Sequence, residues 1–347
     1  MRVLMTPDYR ADNPYQELLA TALREQGVEV VFPTGYRRVL PITRSLREFG
    51  ADVLHLHWVE PYLRPNAALP VALVRGLKTV ADLLLARATG VRVVWTVHNE
   101  VSHESRFPRL ERAILRQIGR LTDQVIVHEE ARRGSYAGAA VIPHGSFSAA
   151  YEQPLPRADA HAALGLEVTG RVFLHFGMLR PYKGIEDLLE AWSLTHLGRE
   201  HVLLIAGPSP DPIYTKRLEE RARAISGVRF EPGFVPADRV HVVFSAADIV
   251  VLPYRKVATS GSAMLSLSFG RPLVVPALPT LLEVLGRPGP ALFFGGDTGR
   301  SLAEVLTTAA QADLAPLRTA AADRVQGWEQ VASATRDAYC GRERGSS

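Results

Sequence analysis

The chain has 347 residues, 47% of them hydrophobic and 22% charged, with a net charge of +4. That is enough to bury two cores, and a mildly basic surface suits anionic ligands such as nucleotides and lipid phosphates. The single cysteine, Cys340, excludes an internal disulfide and a thiolate zinc cage, and reads as an intracellular chain. No zinc-finger spacing, RNA-binding signature or long basic tract is present, so no nucleic-acid partner is expected.

Chain order then supplies the elements. The start, MRVLMTPDYR, enters a strand at Val3–Met5 with no signal-peptide h-region, and no apolar run approaches the roughly 20 residues of a membrane span. The expected location is therefore cytoplasmic, with peripheral contact at the inner face of a membrane open. After TPDYRADNPYQ, Asn13 and Pro14 fit the N-cap and first turn of an amphipathic helix over Tyr15–Gln26. Strands follow at Val28–Phe32 and Val53–His57, the latter running into HLHWVEPY. Pro70–Ala88 is rich in Leu and Val and carries Arg75, Lys78 and Arg87.

A strand at Val91–Val97 ends in TVHNEVSHES, which gathers His98, Glu100, His103 and Glu104. Next, Arg106, Arg109, Arg112, Arg116 and Arg120 recur every three or four residues. Phe107, Leu110, Ile114, Ile118 and Leu121 recur on another face of the same helix. Such a helix either rests on anionic lipid headgroups or packs on a core with solvated arginines. Short strands at Gln124–Val127 and Val141–Ile142 lead to IPHGS.

Residues 145–170 are poor in strand signal and rich in Ala, Pro and Gly, which reads as a linker. The expected domains are 1–150 and 165–325. In the second, strands are expected at Val172–Phe176, Val202–Ile205, Val228–Phe230, Ile249–Leu252, Leu273–Val275 and Ala291–Phe294. Strand, helix, strand repeated in this way means parallel sheets covered by helices, with ligands outside the carboxyl ends of the strands.

Two strand ends in this half carry phosphate chemistry. HFGMLRPYKGIEDLLEAW, residues 175–192, is a strand, a tight loop with Arg180 and Lys183, and a helix start, where cations and backbone N–H groups together suit a diphosphate. DIVVLPYRKVATSGSA puts Thr259, Ser260, Gly261 and Ser262 at another helix start. Ser and Thr there serve equally as ordinary N-caps.

With these stretches in view, the chain resembles the GT-B glycosyltransferases, and within them the large family 4 group that uses nucleotide sugars. The resemblance spans nearly the whole chain, most specifically FGMLRPYKGIEDLLEAW, AADIVVLPY, GRPLVVP and GWEQVASATRDAY. It implies two Rossmann-like domains facing across a cleft, with an acceptor-binding first domain and a nucleotide-sugar-binding second. A last helix, about 326–341, crosses back onto the first domain. It implies that Arg180, Lys183, Ser260, Gly261 and Ser262 hold the donor diphosphate, that Phe234, Val235 and Pro236 lie by the nucleobase, and that His98 stands beside the transferred sugar. Asn13, His57, Trp58 and Glu60 fall on the acceptor side.

The chain departs from the family's pattern in places. Val257 and Leu265 stand where the family often carries two glutamates, Met178 replaces an arginine, and Asp12, Asn13 and Pro14 replace a glycine pair in the first loop.

Glycosyl transfer needs a neutralised leaving diphosphate and, with inversion, a base for the acceptor hydroxyl. His98, Glu100 and Glu104 are the catalytic candidates, with Glu60 a further base. No Asp-X-Asp pair of the metal-holding kind serves the diphosphate, so no essential metal or other cofactor is expected. His55 and His57 share a strand face and read as polar residues lining a cleft rather than as metal ligands. The expected function is metal-independent transfer of a hexosyl unit from GDP-mannose or a UDP-sugar to a saccharide or lipid-linked acceptor. A sugar-nucleotide epimerase and a non-catalytic nucleotide-sugar-binding module are the alternatives. A dehydrogenase is disfavoured because the first βα turn lacks Gly-X-Gly-X-X-Gly.

Overall fold

The computed structural model describes residues 1–11, 13–33, 39–99, 101–102, 105–256, 260–295 and 298–341. The chain divides into two compact units, residues 1–145 with 326–347, and residues 146–325.

The first unit is built on six parallel strands, β1 (Arg2–Thr6), β2 (Glu29–Val31), β3 (Val53–Leu56), β4 (Arg92–Thr96), β5 (Gln124–Val127) and β6 (Ala140–Val141), in the order β2-β1-β3-β4-β5-β6. Its helices are α1 (Tyr15–Glu25), α2 (Pro41–Phe49), α3 (Glu60–Leu63), α4 (Leu69–Ala88) and α5 (Pro108–Arg120). The inner strands are buried beyond their first residues: Leu4, Leu54, Val93 and Trp95 join Leu83 and Ala86 of α4 and Leu115 and Ile118 of α5 in one core. Strands covered on both faces explain why they read as continuous apolar runs rather than as alternating ones.

The second unit repeats the plan with β7 (Val172–Phe176), β8 (Val202–Gly207), β9 (Val228–Pro232), β10 (Ile249–Val251), β11 (Leu273–Pro276) and β12 (Ala291–Phe294), in the order β12-β11-β10-β7-β8-β9. Counted from β7, this is the doubly wound Rossmann order 3-2-1-4-5-6. Around it lie α6 (Arg157–Leu164), α7 (Ile185–Ser193), α8 (Pro212–Arg223), α9 (Ala237–Ala246), α10 (Gly261–Ser268), α11 (Pro279–Leu285), α12 (Thr298–Gln311) and α13 (Ala315–Asp323). The chain then returns to the first unit as α14 (Trp328–Cys340), which packs on α1.

One difference concerns the expected linker. The first unit ends at Gly145, and part of the following stretch folds as α6 of the second unit. Ala160 and Leu164 are buried, and His161 Nε2 lies 3.0 Å from the Ala246 carbonyl of α9. The Ala and Pro content that looked like a connector is a short helix flanked by Pro156 at its N-cap and Gly165, at φ 60°, at its C-cap.

Candidate functional site

Each sheet has one place where the strand order reverses, and loops leaving the carboxyl ends of the two strands there splay apart to leave room for a ligand. In the second unit that place lies between β7 and β10. The loop after β7 carries Arg180 and Lys183, and the loop after β10 leads to Ser260 at the N-cap of α10. Both stretches singled out for phosphate chemistry therefore sit side by side at the switch point.

Glycines let these loops close on one another. Gly177, at φ 125°, faces Ser262: a Cβ there would stand 2.7 Å from the Ser262 Oγ. Gly184, at φ 73°, opens α7 and is pressed against the Pro253 carbonyl, leaving no room for a side chain. Lys183 Nζ donates to the Tyr254 hydroxyl at 3.1 Å and stands 4.4 Å from the centre of that ring; the hydroxyl in turn lies 2.8 Å from Ser260 Oγ. Ser260 Oγ also accepts from the Ala263 N–H at 3.0 Å, the ordinary capping bond. The result is a fixed ammonium next to the positive end of an eight-residue helix.

Two neighbours behave differently from simple phosphate cations. Arg255 is held by both carboxylate oxygens of Asp187, at 2.8 and 2.6 Å, and fastens the β10 loop to α7. Arg180 Nε points to the sulfur of Met178, the residue that stands in place of the family's arginine, at 2.8 Å. Leu265 is buried in α10; Val257 and Thr259 lie outside the described residues. Phe234, followed by Val235 and Pro236, comes directly after β9 and is 77% exposed. An uncovered phenylalanine beside a ligand-binding sheet edge suits a planar base.

In the first unit the order reverses between β1 and β3. The β1 loop is shaped by buried Gln16, whose amide bonds the Pro7 carbonyl and the Tyr9 N–H, and the Asn13 Oδ1 accepts from the Tyr15 N–H at 2.9 Å. The β3 loop supplies His57, Trp58 and Glu60. Trp58 stacks on His98 with ring centres 3.8 Å apart, and His57 Nδ1 lies 3.1 Å from His98 Nε2.

The sequence reading did not foresee how many histidines meet here. His55, within β3, and His57, His98, His128 and His144, after β3 to β6, are all buried, the last four around Tyr15. His55 is held by the Tyr339 hydroxyl of α14 at 2.7 Å and by Thr96. Burial holds all five neutral: His55 and His144 fall to about 3, His128 to about 4, and His57 and His98 well below their usual value. Among the described residues no three His, Cys, Asp or Glu side chains are placed to hold a metal ion.

A small hollow with room for about one water lies beside this cluster, lined by His57, Trp58, Glu60, His98, Asn99 and Glu111 among others. Glu60 Oε1 accepts from Asn99 at 3.2 Å. Its Oε2, Glu111 Oε2 and His57 Nε2 are buried and find no hydrogen-bond partner among the described residues. Burial raises the Glu60 carboxyl, and the nearby Glu111 charge adds to the shift. Glu100, His103 and Glu104 lie outside the described residues.

The arginine row is partly as expected. Arg109, Arg112, Arg116 and Arg120 lie exposed on α5, whereas Arg106 precedes the helix, with its N–H bonded to the Pro65 carbonyl. Pro108 at the first helical turn sets that start. Tyr254 and Glu111 were missed as site residues. Tyr254 had a local signal, since it sits in the strand-end run VVLPYRK; Glu111 had none, because it meets Glu60 only through folding.

Two doubly wound parallel units, each with polar residues gathered at its switch point, and a closing helix returned to the first, define the GT-B class. The comparisons agree. Residues 170–311 match the family model for glycosyl transferases group 1. Over 246 residues the chain is 31% identical to the GDP-mannose:glycolipid 4-beta-D-mannosyltransferase of Xanthomonas campestris pv. campestris; the match covers 70% of this chain and 66% of that protein. Among solved structures, sucrose-phosphate synthase from Thermosynechococcus elongatus superposes with a TM-score of 0.74 at 19% identity, covering 98% of both chains. WaaG, a glycosyltransferase involved in lipopolysaccharide biosynthesis, does so at 0.68 and 15%, covering 98% of this chain and all of that one. The chain belongs to the GT-B glycosyltransferases.

Proposed function

We propose that the chain transfers a mannosyl unit from GDP-mannose to a glycolipid acceptor without a metal ion. The observation that carries the donor half is the fixed ammonium of Lys183 at the β7–β10 switch point, beside the N-terminus of α10. Lys183, Arg180 and the Ser260–Ser262 turn together take the diphosphate, and Phe234, Val235 and Pro236 flank the base. A cation and a helix N-terminus already in place need no reorganisation as the leaving group gains charge. That is the role a divalent ion plays in enzymes that use one. The identity of the sugar rests on the mannosyltransferase relative.

The acceptor half falls to the first unit. That relative forms a β-mannoside, and GDP-mannose is an α-glycoside, so inversion and a base are required. His98, the first candidate by resemblance, is pushed well below neutrality by burial and is a weak base. Glu60 is shifted the other way and keeps one carboxylate oxygen unpartnered in its pocket. We assign the base to Glu60, with His98 and His57 as the wall of the acceptor site. Asn13 shapes the neighbouring loop, and the exposed arginines of α5 face the membrane that carries the acceptor.

The test is transfer of radiolabelled mannose from GDP-mannose to a bacterial glycolipid extract in EDTA. A labelled, alkali-stable lipid product with a β-linkage is expected. Transfer from UDP-glucose alone would replace the donor, and hydrolysis or epimerisation without a second substrate would overturn the reading.

A further inference from the structure

Helix α4 covers the first unit's sheet with one face: Ala72, Gly76, Thr79, Leu83 and Ala86 are buried. Gly76 leaves the space into which Ile114 of α5 packs, so the two helices lie close together. The opposite face is what a water-soluble helix does not ordinarily present. At 100° per residue, Leu73, Val74, Leu77, Ala81, Leu84 and Leu85 fall on one outward arc. All six are exposed, Val74 and Leu77 by 63% and 62%. Of the thirteen large hydrophobic residues left exposed among the described residues, seven belong to this one helix. Such concentration marks an interaction surface, whereas singly scattered apolar residues do not.

The charges around the arc decide what covers it. Arg75 and Lys78 border one side of it by the same helical spacing; Arg87, on the other side, is held by Asp123 at 2.9 Å and by the Leu121 carbonyl. Arg75 and Lys78 also line a shallow hollow with Pro41, Ile42 and Tyr62. Arg109, Arg112, Arg116 and Arg120 are exposed on adjoining α5. The carboxylates of both helices are turned inward: Asp82 accepts the Ile42 and Thr43 N–H groups at 2.9 and 3.0 Å, and Glu111 accepts that of Ser102. The outer surface of the two helices thus carries an apolar ridge and cations without an acid of their own, and Asp123, just beyond α5, pairs with Arg87. A protein partner would be met by charges of both signs; a sheet of anionic headgroups over hydrocarbon fits this pattern. No helix among the described residues is long and apolar enough to cross a membrane, so α4 lies along the surface.

We propose that the outward arc of α4, flanked by Arg75 and by the exposed arginines of α5, docks the first unit onto an anionic lipid bilayer. The arc enters the headgroup–acyl boundary and the cations pair with lipid phosphates. This deepens the glycolipid reading, yet its test needs neither donor nor acceptor, so the two stand or fall separately.

The experiment is co-sedimentation of the full chain with phosphatidylcholine vesicles containing or lacking phosphatidylglycerol. Leu77→Asp/Leu84→Asp and the milder Leu77→Ser/Leu84→Ser are run in parallel, with circular dichroism and inorganic phosphate as controls. The wild type is expected to bind the anionic vesicles, less so as salt rises, and the Asp variant at least about tenfold more weakly with its fold unchanged. If the Asp variant fails to fold, the Ser variant is expected to show the same loss in smaller measure. Equal binding by folded variants, or no binding of the wild type to anionic vesicles, overturns the proposal. Binding that free phosphate abolishes at millimolar concentration reassigns the hollow to a soluble anion. A wild-type dimer that the variants convert to monomer assigns the arc to a second copy of the chain.

Discussion

Lys183 and Glu60 show how little of a residue's chemistry lies in its type. A lysine in a loop is ordinarily a solvated charge; here its ammonium is fixed by the Tyr254 hydroxyl and that ring's face. Glu60 is one of several acids near the ends of β3 and β4, but burial and Glu111 give it a higher affinity for protons than a surface carboxylate has. A base of that kind loses activity as pH falls through its raised value and is fully active above it. Glu60→Gln is therefore expected to lower kcat by about 10²- to 10⁴-fold and to remove the acidic limb of the pH–rate profile, with donor affinity unchanged. An unchanged limb in Glu60→Gln would move the base to another residue. Lys183 was legible from the strand-loop-helix pattern around it. Tyr254, Glu111 and the convergence of five histidines were not, because they become neighbours only through pairing of distant strands.

At the scale of elements, the twelve strands among the described residues were all legible. Buried parallel strands leave short apolar runs bounded by Gly, Pro and polar residues, and Gln124–Val127, Val172–Phe176 and Ala291–Phe294 begin and end where the runs do. Helices that break the usual pattern were harder. The segment of α6 read as a linker, and α4 read as a Leu- and Val-rich basic stretch that adds to a membrane-facing surface, its outward apolar arc unresolved because apolar residues occur on its buried face as well. The loops at the β7–β10 switch point depend on close backbone approach, which glycine alone permits. Gly184 has φ 73° and no space beside the Pro253 carbonyl. Gly184→Ala is expected to cost about 1–3 kcal/mol in urea unfolding and to weaken nucleotide binding as the two loops part. Full stability and full binding would show that the loops' contact is not what shapes the diphosphate site.

The whole molecule is two doubly wound units, each placing its polar residues where its own strand order reverses. That repetition explains why the candidate functional stretches in the sequence occur at strand ends. On the proposed function, diphosphate chemistry falls to residues 146–325, and acceptor chemistry and lipid contact to residues 1–145. The central claim is that Lys183 and the α10 N-terminus bind the donor's diphosphate with no metal between. Calorimetric titration of the wild type and Lys183→Ala with GDP, UDP and GDP-mannose, each in EDTA, tests it most directly. The account predicts that GDP and GDP-mannose bind the wild type in EDTA and that Lys183→Ala, folded and equally stable, binds them at least about tenfold more weakly through loss of a charge-assisted contact. Binding that requires added Mg²⁺, or that is the same in Lys183→Ala, would contradict it.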